Sequence, residues 1–78
     1  MNLNSTSVQV GSVVTVVEEG LEEQETYRLV LPHEADPTHG FVSVQSPFGK
    51  ALLNQAKGVT VNVAAPNGEI SFVIVAVA

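Results

Sequence analysis

The sequence predicts an α+β domain: an antiparallel sheet of about five strands with one short helix packed across it. Three observations carry this. Five runs read as strands: 13–18 is rich in β-branched residues, 25–31, 41–45 and 59–65 alternate with period two, and 69–77 is apolar on both faces. Turn signals separate them, at Gly20, Pro32, Gly40, Gly58 and Pro66-Asn67-Gly68. One segment, opened by Ser46-Pro47, carries helical rather than alternating spacing.

Residues 1–7 are polar and read as a flexible N-terminal segment, so the domain is placed at 8–78. The run from Val8 to Val17 is strand-like, with a turn or bulge at Gly11-Ser12 before the main strand, Val13 to Glu18. EEGLEEQ then forms an acidic loop around Gly20. Glu25 to Leu31 returns as the second strand, with Tyr27, Leu29 and Leu31 on one face and Thr26, Arg28 and Val30 on the other. Pro32 ends it, and HEADPTHG is read as a surface turn closed by Gly40.

Phe41 to Gln45 is the third strand. Ser46 is a favoured N-cap, because its hydroxyl accepts an orphan N–H of the first turn, and Pro47 suits the first helical position. The helix is expected from Pro47 to about Ala56, with Gly58 as its left-handed terminator. Phe48 and Leu52 form an i, i+4 pair for the sheet. Gly49 is a local cost of about 1 kcal/mol relative to alanine. Val59 to Ala65 alternates cleanly and turns at Pro66-Asn67-Gly68, where the Asn-Gly pair tolerates positive φ. Glu69 to Val77 is apolar on both faces, Ile70, Phe72 and Ile74 against Val73, Val75 and Val77. Such a strand fits a place covered on both sides or a dimer edge, and oligomeric state stays open.

Seventy-eight residues without cysteine make one small domain that packing alone must hold. Hydrophobic residues are 45% of the chain and mean hydropathy is +0.27, which excludes wholesale disorder. No run is long enough to span a bilayer and the N-terminus lacks a signal-peptide pattern, so a cytoplasmic location away from membranes is expected. Lys and Arg total 3 against 8 Asp and Glu, a net charge of −5. Arg28, Lys50 and Lys57 are too scattered for a phosphate-binding stripe, so direct nucleic-acid contact is not expected.

No catalytic constellation is present. The carboxylates of EEGLEE do not follow the alternating ligand spacing of a calcium loop. His33, Glu34, Asp36 and His39 are ligand types, but their spacing matches no metal motif and neither histidine has a nucleophile to serve. The expectation is no metal, no cofactor and no enzymatic activity. A peptidyl-prolyl isomerase would need an aromatic-lined pocket, and the chain has no Trp, one Tyr and three Phe.

Five pieces of the sequence then carry a resemblance: VGSVVTV at 10–16, ETYRLV at 25–30, HEADP at 33–37, FVSVQSPFGKALL at 41–53 and APNGEISFVIVAV at 65–77. In this order and spacing the chain resembles the C-terminal globular domain of the bacterial Gre transcript-cleavage factors (GreA/GreB) and their relatives, including the regulator of nucleoside diphosphate kinase. The resemblance implies an FKBP-like domain that docks on RNA polymerase near the secondary channel. In that family, cleavage stimulation belongs to a separate N-terminal helical hairpin. No such hairpin precedes Val8, so no cleavage-stimulating activity is expected of this chain by itself.

The resemblance places polymerase contact at the strand-to-helix junction, here Gln45, Ser46 and Pro47. Phe48 beside them, and Glu34 and Asp36 of the E-A-D turn, complete the expected partner-binding set. The alternative is a stand-alone interaction module of the same fold with a different protein partner. Ser46-Pro47 also has a purely structural reading, since capping alone selects that pair.

Overall fold

The computed structural model describes residues 7–78. The expected flexible segment therefore lies, apart from Ser7, outside the described residues. Five strands, β1 (Val13–Glu18), β2 (Gln24–Val30), β3 (Phe41–Ser43), β4 (Thr60–Ala65) and β5 (Gly68–Val77), form one sheet in the order β3-β2-β1-β5-β4. One helix, α1 (Pro47–Leu52), lies against its inner face.

Hairpin pairing follows the turn chemistry. β1 pairs antiparallel with β2 from Val13↔Arg28 to Val17↔Gln24, around a loop in which Gly20 has φ 90°. β4 and β5 pair antiparallel from Thr60↔Val73 to Ala65↔Gly68. At that turn Gly68 takes the positive φ, 130°.

One pair departs from the expected antiparallel sheet. β3 runs parallel to β2, with Arg28↔Phe41 and Val30↔Ser43 opposite one another. The connection achieves this with two short 3-10 turns, Pro32–Glu34 and Pro37–His39. Asp36 N–H donates to Phe41 O (2.9 Å) and Phe41 N–H to Asp36 O (3.0 Å), which folds the loop back on itself. Gly40 follows at φ 78°, and its carbonyl accepts from Arg28 N–H (2.8 Å). Alternation reports which face a residue takes, not the direction of its strand.

β5 lies between β1 and β4, so it is an interior strand and not a dimer edge. Its pairing with β1 shifts between Thr15 and Val16: Val16 faces Ile74, but Thr15 faces Ala76 and Val14 faces Val77. The extra residue at Val75 changes the parity. Val77 consequently joins Ile74 against the core instead of sharing a face with Val73.

The core is Val8, Val14, Val16, Leu29, Leu52, Val61 and Ile74, each at most 6% exposed. Burying a side chain of this kind contributes about 1.5–3 kcal/mol. Leu31, expected to share the buried face of β2, lies past its end and is exposed.

The helix is shorter than expected, ending at Leu52 and not Ala56. Asn54 takes φ 67° and so turns the chain four residues before Gly58. Val8 secures this end: its N–H donates to Gln55 O (2.8 Å) and its carbonyl accepts from Asn54 N–H (2.9 Å).

Candidate docking corner and groove

The corner where β3 becomes α1 is built by serine hydroxyls. Ser46 Oγ accepts from Gly49 N–H (3.0 Å), capping the helix, and donates to Ser43 O (2.7 Å). Ser43 Oγ accepts from Gln45 N–H (3.0 Å). Both hydroxyls are thus committed to the turn. Ser46 is half-buried, while Gln45 and Pro47 are exposed on either side of it. A partner meeting this corner would touch the Gln45 amide and the Pro47 ring.

Phe48 is placed differently from Gln45 and Pro47. Its ring packs edge-on between Tyr27 (5.0 Å between centroids) and Phe72 (5.1 Å). It joins the partly buried layer around the core. This ring holds the helix to the sheet. Tyr27 donates its hydroxyl to Glu25 Oε1 (2.6 Å). Burial first, then this bond and the negative charge of Glu25, push the phenol up to about 12.

Glu34 and Asp36 also separate. Asp36 Oδ1 accepts from the Thr38 hydroxyl (2.6 Å), and its Oδ2 lies 2.7 Å from His39 Nδ1. The Thr38 bond, then the His39 bond, hold the Asp36 carboxyl below its usual range. Its carboxylate therefore organises its own turn. Glu34 Oε1 accepts from Leu31 N–H at 3.3 Å, and its side chain lines a groove. Among the described residues no group of three or more His, Cys, Asp or Glu could hold a metal.

That groove, about 320 Å³, is bounded by Val10, Gly11, Arg28, Leu29, Val30, Glu34 and Phe41. Val10 is 53% exposed and Phe41 39%, a high value for large apolar side chains. Arg28 stands between Val13 and Phe41 across the strands and makes no ion pair with the described residues. The chain leads from the groove to the corner just past β3, where Val44 N–H donates to Val30 O (2.9 Å), one residue before Gln45. Sequence reasoning nominated Glu34 here but missed Val10, Arg28 and Phe41. The available signal was a lone arginine on the outer face of β2 in an acidic chain. That Phe41 would stand beside it depended on the parallel pairing.

The strand order, the serine-capped helix and the groove can be compared with known proteins. A family model described as transcription elongation factor, GreA/GreB, C-term, matches residues 3–78. The chain belongs to the GreA/GreB C-terminal domain family. The transcription elongation factor GreA of Rhodospirillum rubrum is 46% identical over 66 residues, 85% of this chain and 42% of that protein. The GreA factor homolog Gfh1 of Thermus thermophilus superposes with a TM-score of 0.80 at 32% identity, covering 100% of this chain and 53% of that one. The GreA/GreB elongation factor of Nitrosomonas europaea gives a TM-score of 0.80 at 30% identity, covering 96% and 62%. The GreA/GreB domain seen here thus spans about half the length of the curated relatives it matches. No helix of the described residues is long and apolar enough to cross a membrane.

Proposed function

We propose that this domain is a protein-docking module for RNA polymerase, acting in the cytoplasm near the mouth of the secondary channel. It has no reaction of its own and no cleavage-stimulating activity in isolation. Membership of a transcription elongation factor family supports the partner. The observation that carries the mode of action is the exposed groove beside β3, with the strand-to-helix corner following it in the chain. Exposed Val10 and Phe41 supply apolar contact area, and Arg28, without a carboxylate partner, supplies directional recognition. Gln45 and Pro47 are exposed at the corner that follows. An apolar protein segment bearing a carboxylate fits this arrangement, and an exposed arginine with few cationic neighbours does not suit a phosphate backbone.

The test is binding of purified polymerase core to the domain and to Arg28→Glu and Phe41→Ala variants, read by biolayer interferometry. The intact domain binds, and each variant weakens binding by about ten-fold or more while keeping its circular dichroism. Absence of binding by the intact domain refutes the polymerase reading. Equal binding by the three proteins refutes this surface.

A further inference from the structure

The two edges of the sheet are unlike. β3 is three residues long, preceded by the two 3-10 turns and followed by α1. β4 is six residues long, and no described strand pairs with its outer side. Natural edge strands are usually blunted by lysine, proline, bulges or a covering element. TVNVAA has no charge and no proline, and its register with β5 is unbroken. Helix α1 reaches β4 through Leu52 and Val61, which share the core on the inner face.

The ladder determines which backbone groups point outward. Glu19 N–H donates to Ser71 O (2.8 Å), so Ser71 turns its backbone towards β1 and Phe72 towards β4. Ile74 N–H likewise donates to Val59 O (3.0 Å). Val61 and Val63, opposite Phe72 and Ile70, therefore bond to β5. Thr60, Asn62 and Ala64 turn their N–H and C=O groups to the open side.

We propose that two copies of this domain pair β4 to β4, antiparallel, about a two-fold axis at Asn62, and so continue one sheet through both. A two-fold interface must be self-complementary, and this strand is. With Asn62 opposite Asn62 of the partner subunit, Thr60 meets the partner's Ala64, and every bonded pair uses outward groups. Val61 meets the partner's Val63 on the core side, so both sheets keep their buried faces. A one-residue slip would set core-facing side chains against outward ones. No like charges oppose each other within the neutral strand. Lys57 precedes β4, whereas Glu69 lies beside its far end, opposite Ala64. Antiparallel pairing therefore brings the lysine end of one copy towards the glutamate end of the other. Strand pairing buries a modest area, so the dimer is weak. Each copy carries −5, so salt strengthens it by screening their repulsion.

Sedimentation equilibrium of the 78-residue chain tests this at increasing concentration, in low and in high salt. The mean mass rises towards twice the monomer mass, and at lower concentration in high salt. Asn62→Pro removes an outward N–H that no described group accepts, together with the Oδ1 that accepts from the Ser71 hydroxyl (2.6 Å). Thr60→Lys/Ala64→Lys places charges along the edge. Each raises the dissociation constant by about ten-fold or more, with far-ultraviolet circular dichroism unchanged. Should the proline variant unfold, the lysine pair decides. A wild-type chain that stays monomeric throughout, including one that takes up an added strand peptide instead, overturns the proposal. So does a dimer that folded variants leave intact.

Discussion

Gly49 presses its Cα against the backbone of Ser43 and Val44. A Cβ there would collide with the Ser43 carbonyl oxygen and sit 3.0 Å from Val44 Cα. The helix thus starts in contact with the strand that precedes it, and the Ser46 hydroxyl joins the two.

The contact reverses the sign expected from helix propensity. Gly49→Ala should gain about 1 kcal/mol on propensity alone. The clash is with backbone, which cannot swing aside, and overpacking of this kind costs about 1–3 kcal/mol. Urea denaturation should therefore show a net loss of stability. A more stable alanine variant would mean that helix and strand are not so closely packed.

Ser46→Ala tests capping apart from contact. It should destabilise the domain by about 1 kcal/mol, because Gly49 N–H loses its acceptor. Ser46→Asp should restore only the cap bond from Gly49 N–H, because a carboxylate cannot donate to Ser43 O as the hydroxyl does. If Ser46 only builds the corner, polymerase affinity measured on folded protein should follow neither change. A tenfold loss of affinity in a stable Ser46→Asp variant would show direct contact.

Asn54 is the left-handed residue at the end of α1. Alanine there should cost about 1 kcal/mol, whereas glycine should be neutral or slightly stabilising. Thermal unfolding of both variants checks this, and equal midpoints would remove the left-handed turn as the helix stop.

Tyr27 makes the alkaline limit measurable. Its phenol is pushed from 10.0 up to about 12 by burial, by the bond to Glu25 and by the charge of that group. A raised acid pKa favours the protonated fold. Its stabilising share is present below pH 10 and is lost as pH rises towards 12. The chain has one tyrosine and no tryptophan, so phenolate absorbance reports this group alone. The midpoint should lie near 12, and Glu25→Gln should lower it while leaving it above 10.0, since burial is the larger cause. A midpoint at 10.0 in the folded protein would show the ring to be solvated.

Much of this domain was legible before any coordinates. The strand runs, the serine cap at Ser46 and the hairpin at Pro66-Asn67 are local statements about backbone preference and side-chain alternation, and they hold in the structure. The family resemblance also rested on sequence order and is borne out. Tertiary structure decided what depends on residues distant in sequence. It set β3 parallel to β2, so that Phe41 stands beside Arg28. It packed Phe48 between Tyr27 and Phe72, and closed the helix early where Val8 takes up the backbone of Asn54 and Gln55. It inserted Val75 as a bulge that returns Val77 to the core, and it put β4 at the longer edge of the described sheet. Local preferences specify strands and turns within a few residues. The direction of a pairing, the occupant of a gap and the strand left at an edge follow from competition among whole elements for one small core.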